Sequence, residues 1–82
     1  MKAAPYLSGS PEERAAAQAI GWDFCDCWFV RPLRPGEESL ALFPDGVLGF
    51  VNNGRVFARD AFCAAKVDAG QSITLPEWRN AA

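Results

Sequence analysis

The stretch SLALFPDGVLGFVNNGRVFAR, residues 39–59, decides the reading of the fold. Asn53-Gly54 lies between two apolar runs, and a two-residue hairpin turn needs positive φ at both central positions, which Asn and Gly tolerate best. With that turn fixed, Asn52 faces Arg55, Val51 faces Val56 and Phe50 faces Phe57. Pro44-Asp45-Gly46 carries type I turn chemistry. Strands are therefore expected over 39–43, 47–51 and 55–59, as a three-stranded antiparallel meander. One face would hold Leu40, Leu42, Leu48, Phe50 and Phe57 with Arg55 and Arg59. The other would hold Ala41, Phe43, Val47, Gly49, Val51, Val56 and Ala58. Two apolar faces imply a cover on each side.

Working outward, Asp60 is a helix cap for residues 61–69, and Gly70 ends that helix. Phe62, Cys63, Lys66 and Val67 share one side of it. Residues 72–75 read as a short strand, and Thr74-x-x-Glu77 with Pro76 starts a terminal helical turn carrying Trp78. Upstream, Ser10-Pro11-Glu12-Glu13 has a capping Ser, a Pro suited to the first helical position and a Glu that completes a capping box. That helix runs to about Ile20 and stops near Gly21. Its alanine stripe allows a close approach to a sheet. WDFCDCWFV, residues 22–30, reads as one aromatic-rich strand, and Arg31-Pro-Leu-Arg-Pro-Gly36 as a loop. The expectation is an α+β fold in one domain spanning 1–82. Its order is helix, strand, three-stranded meander, helix, with the helices on one sheet face. Residues 1–9 are expected to be a flexible arm and 76–82 a short terminal element.

Composition removes several function classes. Half the residues are apolar, which argues against disorder, and 82 residues cannot support two separate cores. The net charge of -2, with no acidic run longer than two, gives neither an acidic tail nor a phosphate-backbone binder. Residues 1–10 lack the apolar core of a secretory signal, and no apolar run approaches the ~20 residues that span a bilayer. Three cysteines, an odd number, do not suit a secreted disulfide scaffold. A cytoplasmic setting is the expectation.

There is no histidine, which removes the commonest general base and metal ligand. No glycine-rich phosphate loop is present, and the chain is expected to be non-catalytic, with no cofactor and no metal. Cys25-Asp26-Cys27 is the sharpest local motif. If both thiols share a strand face, Cys63 and Asp23 could join them in a thiolate metal or redox site. The competing reading is three small buried apolar residues. Pro32-Leu33-Arg34-Pro35 is a minimal PxxP, or simply a loop. Arg55-Phe57-Arg59 resembles a single-strand nucleic-acid platform, or a core Phe between solvated arginines.

The aromatics exceed what so short a chain buries with ease. With the two-sided sheet they point either to a compact core with Trp78 folded back as a plug or to a protein-binding module acting through an apolar, aromatic surface with an arginine rim, the reading ranked first. Its candidate residues are Trp28, Arg31, Arg34, Arg55, Phe57 and Arg59. The expected partner is another protein or a second copy of the chain, with neither nucleic acid nor a membrane favoured. In size and lack of motif the chain resembles small phage or mobile-element accessory proteins that inhibit or adapt host complexes, inhibitors of CRISPR effectors among them.

Overall fold

The turn at Asn53-Gly54 forms as the sequence implies. In the computed structural model, which describes residues 9–80, Asn53 and Gly54 take φ of 51° and 72°. They join β3 (Gly49–Asn52) to β4 (Arg55–Ala58) with Asn52 opposite Arg55, Val51 opposite Val56 and Phe50 opposite Phe57. Two further strands, β1 (Asp23–Cys25) and β2 (Trp28–Pro32), complete a four-stranded antiparallel sheet in the order β1-β2-β4-β3. The described residues also form α1 (Pro11–Gln18), α2 (Ser39–Leu42), α3 (Ala61–Asp68) and α4 (Leu75–Asn80). The α+β class therefore holds, in a single compact domain. The expected flexible arm lies, apart from Gly9, outside the described residues.

Three expected strands are composed differently. Residues 22–30 do not run straight, because Asp26 and Cys27 both adopt left-handed backbone, with φ of 50° and 67°. The chain reverses there, and Cys25 pairs with Trp28 and Phe24 with Phe29. Such a pair of positive φ values is the two-residue turn whose twist matches the flanking strands. Residues 39–43 form the short helix α2 instead of a strand. Leu and Ala are good helix formers, and the segment has none of the β-branched residues that favour strands. The Ser39 hydroxyl accepts a hydrogen bond from the Val51 amide at 3.3 Å, so α2 lies along the outer edge of β3. Leu40, expected in a sheet face, projects from α2 and is 75% exposed. Residues 72–74 are irregular rather than a strand, and the Ile73 amide bonds the Leu42 carbonyl at 3.0 Å.

The helices hold as read. The Ser10 hydroxyl accepts from the Glu13 amide at 3.2 Å. The Glu13 carboxylate reaches past the Ser10 cap instead of back to its amide: it accepts from the Gly9 amide at 2.6 Å and, on its other oxygen, from the Ala61 amide at 3.1 Å. A buried glutamate thus ties α1 to the start of α3, satisfying an amide that no turn of that helix can reach. Asp60 caps α3 through Cys63 and receives the Trp78 indole N–H at 2.7 Å, anchoring α4. Thr74 and Glu77 exchange the reciprocal bonds of a capping box at the head of α4.

One sheet face meets the helices. Phe29, Val56 and Ala58 pack there with Ala17 of α1 and Ala61, Ala64 and Val67 of α3, around Trp22, Phe43, Leu48 and Ile73. Gly49 makes the close packing possible, since a Cβ there would overlap the Phe57 carbonyl oxygen and the Phe43 ring. Burying the core residues' apolar surface stabilises the fold by ~25 cal/mol per Å² removed from water. No helix among the described residues is long and apolar enough to cross a membrane.

Candidate functional site

Strand alternation puts every second residue on the face away from α1 and α3. From β1 to β3, one row there is Asp23, Val30, Phe57 and Phe50, and the next is Pro32, Arg55 and Asn52. Cys25 and Trp28 form a third row, with Arg59 just beyond the end of β4. The expectation that something covers each side holds for the helical face alone. Trp28, Phe50 and Phe57 stay half-buried with no described element over them.

These three rings form one cluster. Phe50 and Phe57 stack with centroids 4.6 Å apart and planes within 8°, and Trp28 meets Phe50 edge-on at 5.0 Å and 80°. Contacts of this kind contribute about 0.5–1.5 kcal/mol each beyond area burial, so the cluster is held as a unit. Adjacent strands lie ~4.8 Å apart, so parallel rings at that spacing stand upright and turn their edges outward. Two clefts flank the cluster. A cleft of about 400 Å³ is lined by Asp23, Cys25, Val30, Arg31, Pro32, Arg55 and Phe57. A shallower one of about 280 Å³ lies between Cys27, Trp28, Val47 and Arg59.

Of the six side chains read from the sequence as binding candidates, the structure brings four together: Trp28, Arg55, Phe57 and Arg59. Both arginines are exposed, and neither has an ion-pair partner among the described residues. The Arg59 guanidinium lies 4.5 Å above the Trp78 ring, which restrains it at one end of the face.

Arg31 and Arg34 belong elsewhere. Arg31 points to the helical side, is 3% exposed and stacks 4.8 Å from the Trp22 ring. It grips Glu37 through two parallel bonds of 2.7 and 2.6 Å and Asp68 through a third of 2.8 Å. The Arg31 bond holds the Glu37 carboxyl below its usual pKa, against the opposing effect of burial. Arg31 is thus a fold-holding residue whose buried guanidinium is fully engaged within the chain. Arg34 is exposed beside it and pairs with Asp68 at 3.4 Å. From the sequence both read as rim residues, because no local signal shows that Glu37 and Asp68 converge on them. Phe50 is not in that set, although the turn register places it beside Phe57.

The cysteines do not converge. Cys25 lies on the open face, Cys27 in the β1–β2 turn, and Cys63 is buried in α3 behind the sheet. Among the described residues no three His, Cys, Asp or Glu side chains are grouped to hold a metal ion. Burial, reinforced by the Asp60 carboxylate, pushes the Cys63 thiol far above its ordinary range. The PxxP segment is also tied down: Pro32 ends β2, and Leu33 packs against the core with its amide bonded to the Gly54 carbonyl at 2.8 Å. No family model, curated protein or solved structure matches the chain at a significant level.

Proposed function

We propose that this chain is a non-catalytic protein-binding module that receives its partner on the open sheet face. The observation that carries this reading is the cluster of Trp28, Phe50 and Phe57, left half-exposed between two unpaired arginines while the opposite face is closed by helices. Aromatic and arginine side chains with rigid positions are the residues that dominate interface energetics. The carboxylates of Glu13, Glu37, Asp60 and Asp68 are engaged in holding the fold, and Asp23 is the one carboxylate among the described residues that lines the larger cleft. The small size and lack of a catalytic motif support a narrower proposal, that the module blocks a host protein complex in the manner of phage accessory inhibitors. Two exposed thiols and a buried third support a reducing cytoplasm.

The same face holds the ingredients of a single-strand nucleic-acid platform, aromatics with flanking cations. Base stacking needs ring faces, however, and the upright Phe50–Phe57 stack offers edges. The test is capture of partners from lysate of the source or host cell by the tagged chain. A Trp28→Ala/Phe57→Ala variant is expected to lose a stoichiometric partner that an Arg34→Glu variant keeps. Retention by the aromatic double variant would refute the assignment of the face.

A further inference from the structure

We infer that the open face takes a short, extended, acidic segment of the partner, with one apolar side chain held between two carboxylates. This deepens the docking reading above and rests on it.

Size favours a segment over a globular surface. Four strands ~4.8 Å apart and about four residues long at ~3.3 Å per residue present roughly 250 Å². A stable globular interface or second copy buries ~800 Å² on each partner. The exposed part of the face suits a few residues of extended chain.

Charge selects the chemistry of that chain. Five of the ten acidic side chains are engaged away from the open face: Glu37 and Asp68 on Arg31, Glu77 on Lys66, and Glu13 and Asp60 on backbone amides. Arg55 on the open face, and Arg59 at its end where it stacks on Trp78, have no carboxylate partner among the described residues. Arginine binds carboxylates through paired, charge-assisted hydrogen bonds. Asp23, across the larger cleft from Arg55, repels a carboxylate displaced towards β1. The segment is thereby confined to β4 and β3.

Spacing sets the register. Arg59 follows the last residue of β4, so its backbone lies roughly 13 Å from that of Arg55 at ~3.3 Å per residue, with Phe57 midway. An extended partner has the same repeat. Carboxylates at its positions i and i+4 therefore meet the two arginines, while the side chain at i+2 drops onto the Phe50 and Phe57 edges. Arg59, restrained over Trp78, prearranges one of the two contacts.

The test is an NMR titration of the isotopically labelled chain with three blocked peptides: Gly-Glu-Ser-Phe-Ser-Glu-Gly and its Gln-for-Glu and Lys-for-Glu forms. The acidic peptide is expected to shift the Trp28 indole and the Phe50 and Phe57 amides. It should bind about fivefold more tightly than the Gln form, as two exposed ion pairs allow, with the gap narrowing as salt is raised. An Arg55→Glu/Arg59→Glu variant should reverse the order of the Glu and Lys peptides. Equal affinity for the Glu and Gln peptides, or shifts confined to the helical face, would overturn the inference. So would tighter binding of an eight-residue oligothymidine than of the acidic peptide, which would assign the arginines to phosphates. If no peptide binds while partner capture still depends on Trp28 and Phe57, the acidic segment fails and the docking face stands. If capture ignores those two residues, the docking reading itself fails.

Discussion

Replacing Arg31 by Met keeps much of the side chain's length and apolar contact with Trp22, and removes its charge and all its donors. Wild type has three short bonds from Arg31 to Glu37 and Asp68, plus one to the Pro32 carbonyl at 3.0 Å. Removing one member of a buried ion pair costs about 3–5 kcal/mol, because the other charges are left desolvated. Here the two carboxylate side chains keep 14% and 16% of their exposure. Each also retains a contact, Glu37 with the Arg34 amide at 2.8 Å and Asp68 with the Arg34 guanidinium at 3.4 Å. Partial access to water lowers the expected cost to about 2–3 kcal/mol. For a domain of this size that corresponds to a fall in Tm of roughly 10–20 °C. Urea unfolding followed by tryptophan fluorescence measures it, and Arg31→Met/Glu37→Gln should recover part of the loss. A cost below about 1 kcal/mol, typical of a surface pair, would refute the assignment of Arg31 to the structural frame.

Other outcomes follow from the same geometry. Gly49→Ala forces a methyl into the Phe57 carbonyl and the Phe43 ring; a loss of about 2 kcal/mol or more is expected by urea titration, in the range of overpacked cores. Thiol titration with a disulfide reagent should show two fast groups, Cys25 and Cys27. Cys63 should react only on unfolding, since its raised pKa leaves almost no thiolate. Because Glu37 has a depressed pKa in the folded state, its contribution to stability is present above its ordinary value of 4.5 and is lost as pH falls through the folded value. Glu37→Gln should therefore flatten the acid limb of a stability–pH curve measured from pH 6 down to about pH 2.

What could be read in the sequence was local. Ser10, Asp60 and Thr74 cap helices through side chains three residues from the amides they bind, and Asn53-Gly54 sets the β3–β4 register by its own backbone preference. The β1–β2 turn escaped because neither Asp26 nor Cys27 is glycine, the usual mark of left-handed backbone. Helix α2 escaped because Leu-Ala-Leu alternates as a strand would, and only its packing along β3 settles the matter. The binding face was half legible. Alternation placed Arg55, Phe57 and Arg59 together, but the hidden turn after Cys25 put Phe24 and Trp28 on opposite faces. Arg31 could not be recognised as buried without knowing that Asp68, 37 residues away, returns to meet it.

The claim that the open face is where the partner sits is tested most directly by photo-crosslinking in the source or host cell. Benzoylphenylalanine would be placed at Phe57 in one variant and at Lys66, on the helical side, in another. Crosslinking to one defined protein from position 57, with none from position 66, is the result the account expects. A defined adduct from position 66, with position 57 silent, would contradict it and move the interface to the helices.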